Sequence, residues 1–454
     1  MDSTKGFWKR LGFRPGDDRE GLLPDEYPSF GRLILFALQQ FIVMFPATVL
    51  VALLTGFHVS TTVFASGFAT LCFVAVTKGK IPLYYGSSFS YIAAIVSITG
   101  AREFGANAPD ALIGQAQFGI ILSGFVSILA GWIIDRFGKD KVDLVLPPEL
   151  TGSIAIVIGI SLAGTAMQGA AGNWAVSLVT IGVTVAASVF LKGVLGQLPI
   201  LFGIAAGYLL SLALGIVDFN PVSTASVFQV PHFTLPVPSW VAVAAIMPIA
   251  IATIPESTAH LYQIDLYVNK LAEKRGKKPY NISGMLGRNL MGDGVGDIVS
   301  SLFGGPAGTN YGENLSTMAV TRVFSVPVII AASVIAMLFS FLGKFSAAIN
   351  TIPGSVIGGL SVYLFGVIAV QGVGIMVERK VDLFDNRTLA VIATVLIIGI
   401  GGSFAFPGGM IPAFGAKLPA IATAAVWGIA LNLVLQLTKK KPASPRKSAG
   451  KGRK

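Results

Sequence analysis

The sequence predicts an all-α polytopic membrane protein with fourteen transmembrane segments arranged as a 7+7 inverted repeat. Of its 454 residues, 53% are hydrophobic and only 12% are charged, whereas an ordinary soluble domain carries about 25% charged residues. The mean hydropathy is +0.74, so the chain needs lipid as its solvent. Apolar runs recur along the whole chain, and two of them are interrupted by similar strings about half a chain apart.

The apolar runs of about spanning length can be followed in order from the N-terminal end. An even number of spans places both ends of the chain on the same side of the membrane. The predicted spans are 31–55, 61–77, 81–99, 112–135, 150–168, 174–192, 198–216, 239–264, 286–303, 309–320, 324–343, 353–376, 388–402 and 417–437.

The placement of basic residues predicts the orientation. Only three of the 33 Lys and Arg residues, Arg102, Lys344 and Lys417, fall in the connections on one side. By the positive-inside rule, both termini are cytoplasmic, the loop at 217–238 is external, and the protein lies in the cell (plasma) membrane. The N-terminal segment 1–30 is cytoplasmic, and the basic tail 438–454 lies near anionic lipid. No nucleic-acid-binding fold accompanies the charge, so nucleic acid is excluded as a partner.

Two interrupted segments indicate a transporter. The string YGSSFS at 85–90 aligns with YGENLS at 311–316, seven spans later. An odd number of spans per repeat gives the two halves opposite orientations in the membrane. Short segments interrupted at matching places of inverted halves mark a transporter's binding site, because each begins a half-helix whose free N–H groups point into that site. Chance similarity in a Gly-rich chain is the alternative.

Few ionisable residues lie deep within the apolar runs, and we take these to be Glu256, His260 and Glu313. A charged side chain at the bilayer centre costs at least ~2.5 kcal/mol, so it faces a cavity or a partner. Glu256 and His260 are four residues apart and share a helix face, which suits a proton-responsive pair or a structural ion pair. Glu313 either accepts hydrogen bonds from a ligand or caps its own helix.

No pattern indicates an enzyme, a metal site or a cofactor. His58 and His232 fall in the outer connections, no His pair has a zinc spacing, and the single cysteine, Cys72, cannot build a thiolate site. The Gly-rich strings carry no phosphate-loop Lys.

The run from Glu313 to Arg322, ENLSTMAVTR, resembles the signature of the nucleobase/ascorbate transporter family. That signature is an acidic, amide or Pro residue, then Asn, a variable residue, Gly, four variable residues, Thr and a basic residue. Further similar strings occur at 78–82, 86–89 and 358–361, and the resemblance extends over 31–437. Glu at the first signature position is similar to the bacterial uracil:proton symporters of this family.

The resemblance implies a division into two domains. A core domain would contain spans 1–4 (31–135) and spans 8–11 (239–343). A gate domain would contain spans 5–7 (150–216) and spans 12–14 (353–437). Short antiparallel strands in the third and tenth segments would cross at the site, and gate domains would pair in a homodimer.

The resemblance also implies roles for particular residues. Carboxylates of Glu256 and Glu313 would accept hydrogen bonds from ring N–H groups, and His260 would join Glu256 in proton coupling. The other residues of the substrate site would be Phe89 and Gly312, through their backbones, with Ser88, Tyr311 and Asn314. Two departures from the family pattern, Gln40 in place of His and Ser316 in place of Gly, are expected to tune the pocket.

The implied function is secondary active import of a nucleobase, most simply uracil, by proton symport with alternating access. Two alternatives are a permease of the same family for purines (xanthine, urate or guanine) and an anion transporter of the same fold. Two carboxylates at the site argue against an anion, which they would repel.

Overall fold

Apolar helices make up most of the computed structural model, which describes residues 3–101, 105–138, 145–413 and 416–437. The predicted basic tail at 438–454 lies outside the described residues. In chain order the helices are α1 (Ser3–Arg10), α2 (Phe30–Thr55), α3 (Val59–Val76), α4 (Ile92–Thr99), α5 (Asp110–Phe137), α6 (Pro148–Ser161), α7 (Ala163–Ala171), α8 (Trp174–Phe190), α9 (Pro199–Ala213), α10 (Asn220–Thr224), α11 (Trp240–Ile246), α12 (Ile249–Lys274), α13 (Leu286–Leu302), α14 (Gly312–Thr321), α15 (Val326–Phe339), α16 (Gly343–Asn350), α17 (Gly354–Glu378), α18 (Asn386–Leu396), α19 (Gly402–Ala405) and α20 (Ala420–Leu437).

Eight stretches of helix in the described part of the chain are long and apolar enough to cross a membrane. They are α2, α3, α5, α6 with α7, α11 with α12, α17, α18 with α19, and α20. Shorter apolar helices are α8, α9, α15 and the stretch Phe89–Thr99. The two remaining predicted spans coincide with α13 and with the ten-residue α14. The protein is therefore a multi-pass membrane protein.

Helix α12 continues beyond the end of the eighth predicted span, from residue 264 to Lys274. The turns of α12 after residue 264 are polar and form hydrogen bonds with the connection to α13. Asp265 accepts hydrogen bonds from the Ile282 N–H and the Ser283 hydroxyl, both at 2.9 Å. Polar residues thus extend this helix beyond its apolar part.

Six short strands form three two-stranded sheets in the described chain. They are β1 (Arg14–Pro15), β2 (Glu26–Tyr27), β3 (Tyr85–Ser87), β4 (Gly308–Asn310), β5 (Met410–Ala413) and β6 (Ala416–Pro419). β3 and β4 pair antiparallel, with Tyr85 opposite Asn310 and Ser87 opposite Gly308. This is the strand pair expected in the third and tenth segments.

The long helices pack in two groups. In the first, α13 packs against α3 and α5, and α15 packs against α2 and α3. In the second, α17 packs against α6, α7 and α8, and α18 packs against α6 and α20. Helix α12 contacts both α5 of the first group and α6 of the second. The first group thus combines 30–137 with 286–339, and the second combines 148–190 with 354–437.

The N-terminal segment is packed against the first group. The Leu22 N–H donates to the Arg322 carbonyl at 2.8 Å, and the Phe324 N–H donates to the Leu22 carbonyl at 2.8 Å. Glu26 is buried and accepts hydrogen bonds from Arg275, at 2.6 Å, and from Lys277. These contacts bring several basic connections together at one end of the molecule.

Candidate functional site

The crossing strands β3 and β4 lie where two short helices begin. β3 leads through a 3-10 turn at Phe89–Tyr91 into α4, and β4 leads into α14. Backbone groups away from water need partners inside the protein. The Tyr85 carbonyl accepts hydrogen bonds from Ser66 and Thr70, both at 2.9 Å, and the Tyr85 N–H donates to Thr70 Oγ1 at 3.1 Å. Hydroxyl groups of α3 therefore support irregular backbone.

Two buried carboxylates stand behind the strands, so the expectation that only Glu256, His260 and Glu313 lie deep in the apolar runs was wrong. Asp297 accepts hydrogen bonds from Tyr85 Oη at 2.6 Å and from the Gly308 N–H at 2.8 Å. Asp293, one turn earlier on α13, accepts from the Ser257 hydroxyl. Their spacing of four residues in a Gly-rich run was visible in the sequence, but the modest hydropathy of that run concealed its depth.

A cavity of about 620 Å³ opens at the strand crossing. Its first wall carries the predicted residues Phe89, Glu256, His260, Tyr311, Gly312, Glu313 and Ser316. Helices α6 and α17 supply the facing wall, which includes Thr151, Ile158 and Gln371. The cavity therefore lies between the two helix groups.

Glu256 and His260 share a face of α12 and both line the cavity. Ser90 Oγ donates to Glu256 Oε2 at 3.3 Å. Across the described residues, no hydrogen bond or ion pair joins Glu256 to His260, and the buried Nδ1 of His260 has no protein partner. The direct pair between them, considered from their spacing, is thus not formed in this structure.

Two glycines allow the close approach of elements at the cavity. A Cβ at Gly312 would lie 2.9 Å from Nε2 of His260, and a Cβ at Gly86 would lie 2.1 Å from the ring of Tyr311. Any larger residue at position 86 would push the two interrupted segments apart.

Three predicted residues lie outside the cavity lining. The Ser88 N–H donates to the Ala307 carbonyl at 2.9 Å, and its hydroxyl accepts from the Ser90 N–H at 3.3 Å. Asn314 Nδ2 donates to Oε1 of Gln40 at 2.8 Å and to the Gln40 carbonyl at 2.9 Å. The buried amides of Gln40 and Asn314 thus join α2 to α14 behind the wall.

The chemistry of the cavity follows from these placements. Glu313 lies in the first turn of α14, where a helix leaves backbone N–H groups without intrahelical partners. Carboxylate oxygens of Glu256 and Glu313 accept hydrogen bonds, and the N–H groups donate them. A small planar ligand that presents both N–H and C=O groups would be complementary to this site.

A polar cavity between two helix groups, reached by two interrupted segments of a multi-pass protein, defines a membrane transporter. A family model described as a permease family matches residues 31–408. Curated relatives are the uracil permease of Bacillus caldolyticus, 38% identical over 90% of this chain and 93% of that protein, and the uracil permease of Escherichia coli K12, 35% identical over 92% and 95%. A putative pyrimidine permease, RutG, of Escherichia coli K12 is 36% identical over 91% of each chain.

The chain belongs to the nucleobase/ascorbate transporter family, as the sequence predicted, and its relatives are permeases rather than enzymes. Among solved structures it is similar to murine Slc26a9, an anion transporter in the inward-facing state, with a TM-score of 0.64. The two share 12% sequence identity over 90% of this chain and 68% of that one. At this identity the likeness describes the fold alone.

Proposed function

We propose that this chain is a secondary active transporter that imports uracil by proton symport. The observation that carries the proposal is the convergence of Glu256 and Glu313 on one cavity beside the start of α14. Uracil has two ring N–H groups and two carbonyls in one plane. The carboxylates would accept from the N–H groups, and backbone groups at Phe89 and Gly312 would serve the carbonyls. The uracil permeases among the relatives support this substrate.

The remaining predicted residues have supporting roles in this proposal. Tyr311 and Ser316 bound the pocket. Ser88, Asn314 and Gln40 hold the two interrupted segments in place from behind.

Alternating access is proposed to occur between a core domain and a gate domain. The core comprises 31–135 and 239–343, and the gate comprises 150–216 and 353–437. The first seven spans and the last seven would be inverted repeats of each other, and each domain would contain spans from both repeats. The packing of α13 and α15 in one group and α17 and α18 in the other supports this division. A cavity between the groups would open to alternate sides when one group moves against the other.

Proton coupling is assigned to Glu256 and His260. Both face the cavity, and each is within the membrane-spanning part of α12. Because His260 Nδ1 has no protein partner in the described chain, a change of protonation there breaks no existing hydrogen bond. Binding and protonation of groups in one cavity are linked reciprocally.

The family also contains purine permeases, and the shared fold includes an anion transporter. The carboxylates Glu256 and Glu313 on one cavity disfavour an anion. A purine would need more room than uracil, and Ser316, which replaces the signature Gly, reduces the room.

Uptake into proteoliposomes tests the proposal. Purified protein should accumulate labelled uracil only when the lumen is more alkaline than the bath, and an uncoupler should abolish the accumulation. Unlabelled uracil should compete strongly, and xanthine, guanine and urate weakly. Stronger competition by a purine than by uracil would show that the substrate is a purine. Accumulation without any pH gradient would show that transport is not driven by protons.

A further inference from the structure

At the end of the molecule opposite the N-terminal segment, three polar side chains from distant parts of the chain meet. His58 precedes α3, Asp110 is the first residue of α5, and His232 lies in the extended stretch before α11. His58 Nε2 is 3.3 Å from Asp110 Oδ1, and His232 Nε2 is 2.8 Å from Asp110 Oδ2. The two imidazole rings are 4.3 Å apart between centroids. Two of the three histidines of the chain are therefore in this cluster.

We propose that His58, Asp110 and His232 form a binding site for a divalent transition-metal ion of the zinc class. One ligand atom from each residue lies within 4.8 Å of the other two. In tetrahedral coordination with bonds of about 2.0–2.1 Å, ligand atoms are about 3.3 Å apart. The distance from His58 Nε2 to Asp110 Oδ1, 3.3 Å, matches that value, and His232 Nε2 lies closer, at 2.8 Å, to the other carboxylate oxygen. Rotations of these side chains would bring one atom of each residue onto a single ion.

The types of ligand select the metal. Two imidazoles and one carboxylate suit zinc and its neighbours in the first transition row, whereas Mg²⁺ and Ca²⁺ prefer oxygen ligands alone. The carboxylate adds a negative charge to the two imidazole ligands. The side chains of Asp110 and His232 are 57% and 55% exposed, so water can occupy the fourth position and the ion can enter from solvent.

The backbone around the cluster is held in place without any metal. The Thr61 hydroxyl donates to the His232 carbonyl at 2.7 Å. Two residues further on, Thr234 exchanges hydrogen bonds with the buried Gln117, at 2.9 Å and 3.0 Å. The Val237 N–H donates to the Gly114 carbonyl at 2.8 Å. A site whose ligands stand on fixed backbone loses little entropy on binding an ion.

A bound ion would link the connection between the two helix groups to the first group, and we call this link the metal clamp. His232 belongs to the stretch between α9, which packs against α8 and α17 of the second group, and α11, which packs against α5 of the first. His58 and Asp110 stand at the starts of α3 and α5, both in the first group. A bound ion would fasten this connection to α3 and α5. Because the ion binds the folded form, it would stabilise the protein in proportion to its free concentration. This site is separate from the proposed substrate cavity and does not depend on its substrate.

Metal content and thermal stability of the full chain test the site. The protein is purified with an affinity tag that contains no histidine, stripped with a chelator, incubated with ZnCl2 and passed through a desalting column. We expect about one zinc per chain by mass spectrometry of the metal, and a higher unfolding midpoint with zinc than with MgCl2. Loss of an outer-shell partner alone costs about 10–100-fold in metal affinity, so His232→Gln and His58→Gln should each weaken binding at least that much.

His260→Gln is the matched control, because it removes the one histidine outside the cluster and should leave the zinc content unchanged. Should His58→Gln fail to fold, the half-exposed His232→Gln decides the question. Zinc retained equally by wild type and His232→Gln would overturn the proposal, as would a wild-type protein that retains none. An unchanged unfolding midpoint in zinc would also overturn the clamp.

Discussion

At the scale of single residues, the position of Glu313 explains why a carboxylate is useful at the first turn of a helix. The free N–H groups of the first turn of α14 stabilise a negative charge near them, while the cavity leaves the carboxylate open to a ligand. Gly312, one residue earlier, leaves room for the ring of His260. Glu313 thus supplies a hydrogen-bond acceptor to the cavity, and Gly312 lets the backbone of α14 lie close to His260.

Replacement of this carboxylate by an amide should strongly weaken substrate binding without unfolding the protein. In Glu313→Gln, only one terminal atom can accept, so a ring N–H of the ligand loses its partner. Leaving such a donor unpaired costs about 1–3 kcal/mol, and more where a charge was involved. Titration calorimetry on purified Glu313→Gln should show binding at least about tenfold weaker. A monodisperse mutant with wild-type affinity would refute the role.

Glu256→Gln should uncouple transport from protons. The mutant is neutral at position 256 under all conditions, so substrate binding can no longer favour one protonation state there. We expect exchange of labelled for unlabelled substrate to persist in proteoliposomes while accumulation driven by a pH gradient fails. Gradient-driven accumulation by Glu256→Gln at the wild-type level would remove this residue from coupling.

At the scale of elements, the strands β3 and β4 are too short to be stable alone, and buried side chains hold them. Asp297 accepts from Tyr85 of the first strand and from the backbone of Gly308 in the second. It therefore ties together the two strands and the helix behind them.

Asp297→Ala should destabilise the protein, because it leaves two buried donors without an acceptor at roughly 1–3 kcal/mol each. Asp297→Asn is the matched control, since both donors bond Oδ1 of Asp297 and the amide oxygen of Asn can take the place of that atom. We expect the unfolding midpoint in detergent to fall in the order wild type, Asn, Ala. Equal midpoints for wild type and Asp297→Ala would show that the strands do not depend on this carboxylate.

The attachment of the N-terminal segment should depend on pH through Glu26. Burial acts to raise the pKa of Glu26, but hydrogen bonds from Arg275 and Lys277 outweigh it and hold the pKa below its ordinary value. A lowered pKa adds stability above the unfolded pKa of about 4.3, and that stability is lost as the pH falls through the folded value.

Two measurements follow from this dependence. Wild-type protein should become easier to cleave within residues 3–29 as the pH falls from the ordinary glutamate pKa of about 4.3 through the lower folded value, as monitored with an acid-active protease. Glu26→Gln should show the easier cleavage already at pH 7. Equal protection of both proteins at pH 7 would separate the attachment from this carboxylate.

At the scale of the whole molecule, the basic connections that contact the N-terminal segment lie at one end, and the histidine cluster lies at the other. These connections contain Arg275, Lys277 and Arg322. Helix α3 begins next to His58, and just after its other end Gly79 lies close to the ring of Phe13 in the N-terminal segment. This separation supports cytoplasmic termini, because basic residues are retained on the cytoplasmic side.

Cysteine labelling checks the orientation. With Cys72 replaced by Ala, a single cysteine is introduced at the exposed position Lys278 or at the exposed position Ser223. An impermeant maleimide applied to intact cells should label Ser223→Cys at once and Lys278→Cys only after lysis. The reverse pattern would invert the topology.

The positions of the helices were predictable because lipid imposes a simple rule on composition. Residues that line the cavity were predictable where an ionisable group or a broken string stood out, as at Glu256 and 311–313. Contacts between distant segments were not, because no local period encodes them. Gln40 with Asn314 and His58 with Asp110 and His232 are of this kind. Asp293 and Asp297 were visible in the sequence but were assigned to a weakly apolar run.

The strand pair also sets an order of events during synthesis. Tyr85 leaves the ribosome well before Asp297, which is 212 residues further along the chain, so β3 enters the bilayer before its partner strand exists. Its backbone at Tyr85 is nevertheless satisfied by Ser66 and Thr70, only 19 and 15 residues earlier. A nascent chain that carries Thr70→Ala should therefore be captured by membrane chaperones or degraded more often than wild type, even where the finished protein tolerates the change.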